Sequence, residues 1–141
     1  MGKRSFGFPG LRNTSRQGIP SHSLKGNLKS VKSSFQFKNG FLATKYKSNG
    51  NRFYRRYASD NPVEDAQKLF RSLGRGGVQR VIRDNNGGVK GWTRTMLGGD
   101  VITYRPRRSS DNSTVVDINI SSRRSGLKSQ KIHFYHKEAK L

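Results

Sequence analysis

Between residues 62 and 73 the apolar positions Val63, Ala66, Leu69, Phe70 and Leu73 recur at intervals of three and four. That spacing places one apolar stripe on one face of an α-helix. The ends carry the matching signals. Asp60 or Asn61 can cap, Pro62 stands in the first turn, Glu64 and Asp65 face the positive end of the helix dipole, and Gly74 follows Leu73. A helix over 62–73 is predicted.

From residue 77 onward the period changes from helical to alternating. Candidate strands at 77–83, 89–96, 101–106, 115–121 and 130–136 are separated by turn clusters at Asn85-Asn86-Gly87-Gly88, Leu97-Gly98-Gly99-Asp100, Ser109-Ser110-Asp111-Asn112 and Ser122 to Gly126. A helix followed by an antiparallel meander is an α+β arrangement with the helix on one face of the sheet. Before the helix, "SFQFKNGFLATKYKSNGNRFYRRY" holds two turn dipeptides, Asn39-Gly40 and Asn49-Gly50, and predicts short hairpin strands at 34–38, 41–47 and 51–57.

The two-residue period assigns faces. Val116, Ile118 and Ile120 oppose Val115, Asp117 and Asn119; Ile132 and Phe134 oppose Lys131, His133 and Tyr135; Ile102 and Tyr104 oppose Val101, Thr103 and Arg105. With the apolar sets in the core, Thr103, Arg105, Asp117, Asn119, Lys131 and His133 share the face away from the helix. Trp92 is read as core. Gly74-Arg75-Gly76-Gly77 lacks the Gly-Lys-Ser/Thr ending of a phosphate loop and follows a helix, so it is read as a helix stop and hinge.

Composition identifies the partner class. Only 30% of the 141 residues are apolar, so the core is small. The net charge is +21, and self-repulsion at that density opposes compaction, so it describes a polyanionic partner: nucleic acid, an anionic membrane surface or a strongly acidic protein, which composition alone does not separate. Residues 1–59 carry 13 Lys/Arg and no acid, while 60–141 carry 16 Lys/Arg and all 8 acids. The chain therefore divides into a basic N-terminal segment, 1–59, and a core, 60–141. There is no run of about 18 apolar residues and no signal-like apolar stretch behind Met1, so export is expected to be arranged from outside this chain. Cysteine is absent, which excludes disulfides, thiolate nucleophiles and Cys-ligated zinc. His22, His133 and His136 are the only neutral-pH bases.

A face bearing a histidine, an acid, an amide, a hydroxyl and fixed cations holds the inventory for phosphodiester chemistry. RNA supplies its own nucleophile, the 2′-hydroxyl, so cleavage needs a base, an acid and cations on the phosphate, with no metal and no cofactor. His133 is the first candidate for base or acid. Arg105 and Lys131 would hold the phosphate, and Asp117 would orient His133 or share in proton transfer. Thr103, Tyr104, Ser110 and Asn119 stand behind them. Arg107, Arg108, Ser110, Asn119, Arg123, Arg124 and Lys128 are candidates for gripping the RNA backbone.

The segments "LFRSLGRGGV", "GGDVITYRPRRSSDNSTVVDINI" and "SGLKSQKIHFYHK" resemble the C-terminal toxin modules of bacterial polymorphic and contact-dependent toxins. These modules look like members of the barnase, EndoU, colicin and RelE-like group of metal-independent ribonucleases, with helices on a curved antiparallel sheet. The resemblance covers about residues 60–136 and highlights Thr103, Tyr104, Arg105, Ser110, Asp111, Asp117, Asn119, Lys131 and His133. It implies an endoribonuclease toxin cutting structured RNA, tRNA first, and leaving a cyclic phosphate. It also implies delivery as the tail of a secreted or surface toxin into the target-cell cytoplasm, and neutralisation by a small immunity protein. Charge adds that this inhibitor is acidic. The rival expectations are a non-catalytic nucleic-acid-binding protein, a metal-dependent DNase toxin and a membrane-active cationic toxin.

Overall fold

A computed structural model describes residues 18–45, 54–106, 113–121 and 125–138. In chain order the elements are α1 (Leu24–Leu28), β1 (Thr44–Lys45), β2 (Tyr54–Ser59), α2 (Pro62–Leu73), β3 (Val78–Arg83), β4 (Val89–Thr95), β5 (Val101–Arg105), β6 (Thr114–Asn119) and β7 (Gln130–His136). The strands form one open mixed sheet in the order β1-β2-β7-β6-β5-β4-β3. The fold is α+β, as the alternation predicts, and β3 to β7 form the antiparallel meander. The sheet is not wholly antiparallel, however. β2 runs parallel to β7, with Tyr54 opposite Lys131 and Ser59 opposite His136. This pairing joins residues more than seventy positions apart, and nothing local in the sequence encodes it.

Helix α2 matches its predicted span, but its cap comes from elsewhere. The Asn61 side chain makes no capping bond. Instead Ser59 Oγ accepts from the Asn61 N–H at 2.8 Å and donates to Asp65 Oδ2. Ala66, Leu69, Phe70 and Leu73 are buried against β5, β6 and β7, whereas Val63, in the first turn, is largely exposed. The C-terminal end is closed by a distant residue. Buried Asn27 of α1 donates from Nδ2 to the carbonyls of Leu73 and Arg75, both at 2.8 Å. The Leu73 carbonyl is one that a helix end leaves without an internal partner, and the Arg75 carbonyl lies just past that end. Gly76 then turns at φ +80°, and a Cβ there would lie 2.0 Å from His22 Nδ1.

The core lies between the helices and one face of the sheet. Trp92, Ile102, Tyr104, Val116, Ile118, Ile132 and Phe134 come from the strands. Trp92 stacks on Tyr104 with ring centroids 5.8 Å apart and planes at 19°. The described part of the N-terminal segment belongs to the same cluster through Leu24, Leu28, Val31, Phe35, Leu42 and Ala43. Phe35 packs on Tyr57 and Phe134.

The hairpin strand predicted at 34–38 does not form. Residues 28–35 wind in helical turns instead, with Lys32 N–H on Leu28 O and Phe35 N–H on Val31 O. The spacing of Leu24, Leu28, Val31 and Phe35 is the physical reason, since it puts all four on one side of a winding backbone that faces the core. The Asn39-Gly40 turn is present with both φ values positive, but it joins a single bridge from Lys38 to Phe41. The strand predicted at 41–47 is reduced to β1 within the described residues, and Asn49-Gly50 lies outside them.

Candidate functional site

The side of the sheet away from α2 is built in rows by the strand register. Opposite residues in neighbouring strands point to the same side, so the pairings Arg80–Thr93, Thr93–Thr103, Thr103–Asp117 and Asp117–Lys131 form one continuous row across five strands. At about 4.8 Å per strand, this row is about 19 Å long. The next row holds Arg105, Val115, His133 and Arg56, the last supplied by β2. A third contains Thr95, Val101 and Asn119.

Thr103, Asp117, Lys131 and Arg105 are half-buried, and Arg80 and Asn119 are exposed. No hydrogen bond or ion pair to another described residue occupies the Thr103, Asp117, Lys131 or Arg105 side chains. An unlike-charged pair, Asp117 and Lys131, thus stands at the centre of the face with a threonine on one flank. Arg105 is given room by Gly91, where a Cβ would come within 2.7 Å of the Tyr104 carbonyl oxygen and 3.2 Å of Arg105 Cγ.

His133 lies on this face but is only 4% exposed. Its Nδ1 is 2.9 Å from Ser113 Oγ, which is also buried, and its ring lies 6.1 Å from that of Tyr135 with planes at 14°. A hydroxyl at this distance from Nδ1 fixes the ring's orientation, and it can accept from or donate to that nitrogen according to the tautomer. Val115, beside it, is buried too.

Tyr104 belongs elsewhere. The two-residue period already sets it with Ile102, and the structure buries it completely beneath α2, tilted against Phe70 with centroids 5.8 Å apart. Burial pushes its hydroxyl up to about 12, while the neighbouring Gln67 amide and the charge of Arg71 pull the other way. It therefore takes no part in the constellation on the opposite face. Lys128 is also off the strand rows. Its backbone N–H meets Gly40 O at 2.9 Å, and its ammonium stands 5.4 Å from the centre of the Phe41 ring. Arg107, Arg108, Ser110, Asp111, Arg123 and Arg124 lie outside the described residues.

Sequence reasoning gives the basic aromatic stretch "NRFYRRY", which holds Arg56, only a general part in stacking and phosphate contacts, and gives Ser113, Thr93, Arg80 and Tyr135 none. Extending the alternation to β3 and β4 would have found Arg80 and Thr93. Arg56 required the parallel pairing of β2 with β7. His136 falls on the other side of β7 and lines a cleft of about 650 Å³ with Asp60, Glu64 and Gln67 at the start of α2. Among the described residues no three His, Asp or Glu side chains gather as a metal site, and no helix is long and apolar enough to cross a membrane. No family model, curated protein or solved structure matches the chain.

Proposed function

We propose that this chain is a metal-independent endoribonuclease toxin domain that cuts structured RNA, tRNA first among its targets. The observation that carries the reading is the strand register. It assembles Thr103, Asp117 and Lys131 in one row, and Arg105 and His133 in the next, on the sheet face that the helices leave uncovered. The charge of +21 supplies the attraction for a polyanion.

In the proposed reaction the 2′-oxygen bonds to the adjacent phosphorus as the bond from phosphorus to the 5′-oxygen breaks. The products are a 2′,3′-cyclic phosphate and a free 5′-hydroxyl. Asp117, the more accessible of the two proton-transfer candidates, takes the 2′-hydroxyl proton. Lys131 and Arg105 face the charge that grows on the phosphoryl oxygens. His133, steadied by Ser113, returns a proton to the 5′-oxygen. Delivery as the tail of a larger exported toxin, and capture of the face by an acidic immunity protein, complete the proposal.

The burial of His133 favours a second reading, a sheet that binds RNA without cutting it. One experiment separates the two. The purified chain is incubated with total bacterial RNA in EDTA, with and without cell extract, beside Asp117→Asn, Lys131→Ala and His133→Ala, and fragment ends are analysed. The ribonuclease reading requires cyclic phosphate ends that are lost in the variants. It also requires His133→Ala to recover on a nucleoside 3′-(4-nitrophenyl phosphate), whose leaving group needs no acid. RNA that is bound and intact in every arm establishes the second reading.

A further inference from the structure

We infer that Tyr135 is the base-stacking residue of this face, and that the RNA segment engaged there is unpaired. The inference rests on RNA being the ligand, as proposed above, but not on its being cut. Alternation along β7 sets Tyr135 on the same side as Lys131 and His133, and the register puts it opposite Ala58 of β2. Ala58 is exposed, and it places only a methyl group beside the tyrosine. The Tyr135 ring is half-buried, so part of its surface meets solvent.

The His133 and Tyr135 rings are nearly parallel, with planes at 14° and centroids 6.1 Å apart. Flat groups on this part of the sheet are thus presented in one common orientation. A nucleobase accepts that orientation only when it is free of its own helix. Paired RNA hides its bases in a deep, narrow groove that a sheet face does not enter, whereas unpaired bases splay out and stack on aromatic side chains. Along β7, Tyr135 is two residues from His133 and four from Lys131, which is about 7 Å and about 13 Å at the rise of a strand. A base on Tyr135 therefore shares this face with the phosphate held between Arg105 and Lys131, at about 13 Å from the Lys131 position. Its identity then contributes to the choice of cleavage site.

The test uses the whole chain and a fluorescein-labelled 12-nucleotide RNA carrying 2′-O-methyl groups, which removes the nucleophile, alone or annealed to its complement. Affinities are read by anisotropy at about 150 mM salt for wild type, Tyr135→Phe and Tyr135→Leu; the leucine keeps bulk at a position flanked by packed residues. Loss of one stacked base weakens the single strand by about tenfold. The expected result is that loss in Tyr135→Leu, wild-type affinity in Tyr135→Phe, and duplex binding unchanged in all three. Equal affinity of wild type and Tyr135→Leu for the single strand overturns the inference, as does an equal loss on the duplex. Loss in Tyr135→Phe also overturns it, because the hydroxyl rather than the ring is then responsible. Binding with the expected pattern but no cleavage of ordinary RNA sinks the ribonuclease proposal and leaves Tyr135 in place. Absence of binding to either form sinks both.

Discussion

Removing the Tyr104 hydroxyl tests whether this residue is core or site. In the folded chain its phenol is held up to about 12 from an ordinary value of 10.0, chiefly by burial. Ionisation is therefore easier in the unfolded chain, and the folded state loses stability as pH rises from 10 towards 12. With those two values, the ratio of the unfolded to the folded binding polynomial at pH 11 is about ten, equivalent to about 1.4 kcal/mol. At pH 9 the same expression gives less than about 0.1 kcal/mol. Urea unfolding of wild type and Tyr104→Phe at pH 8, 9, 10 and 11 isolates the effect, because Lys titration and the raised Tyr57 phenol act equally in both proteins. Wild type should lose about 1.4 kcal/mol more than the variant between pH 8 and pH 11. Cleavage or binding of RNA by Tyr104→Phe should remain at the wild-type level. Parallel pH profiles would refute the burial argument, and a loss of RNA processing in a stable Tyr104→Phe protein would return Tyr104 to the site.

The other predictions concern the joints of the fold and the charge of the face. Asn27→Ala removes both bonds at the end of α2 and leaves two carbonyls short of a partner, so urea unfolding should show a loss of about 2–4 kcal/mol. Gly76→Ala forces a Cβ into His22 and onto a left-handed backbone; it should lower the melting temperature, and Gly76→Ala with His22→Ala should recover only part of the loss, since the Cβ of residue 22 would still lie 2.8 Å away and the backbone strain remains. Lys131→Ala should reduce the slope of log affinity against log salt for single-stranded RNA by about 0.7, the value for one phosphate contact, and an unchanged slope would remove Lys131 from the RNA path. Gly91→Ala should lower stability, since its Cβ would lie 2.7 Å from the Tyr104 carbonyl oxygen, and should also weaken RNA binding by the folded protein through the Arg105 side chain at 3.2 Å; a pure stability loss would show that Arg105 does not need that space.

Alternation and helical spacing by themselves determined much of this protein. A side chain's face in a strand follows from parity alone, so Thr103, Arg105, Asp117, Lys131 and His133 could be set on one side before any contact was known. Helix α2 was legible for the same reason, since its apolar stripe and terminal residues are written locally. The +21 charge is likewise legible without any structure, and the proposal of a polyanionic partner starts from it.

Only the tertiary structure decided what lies far apart in the chain. It brought β2 beside β7 and so placed Arg56 next to His133. It turned residues 28–35 away from a strand by giving Val31 and Phe35 a core to enter, and it sent Asn27 to the end of α2. It also buried His133 against Ser113, whereas parity specifies a side and says nothing of depth. The physical reason is common to all four. Local pattern reflects the backbone's own periods, while pairing between remote strands and the depth of a side chain depend on which surfaces meet when the chain closes on itself.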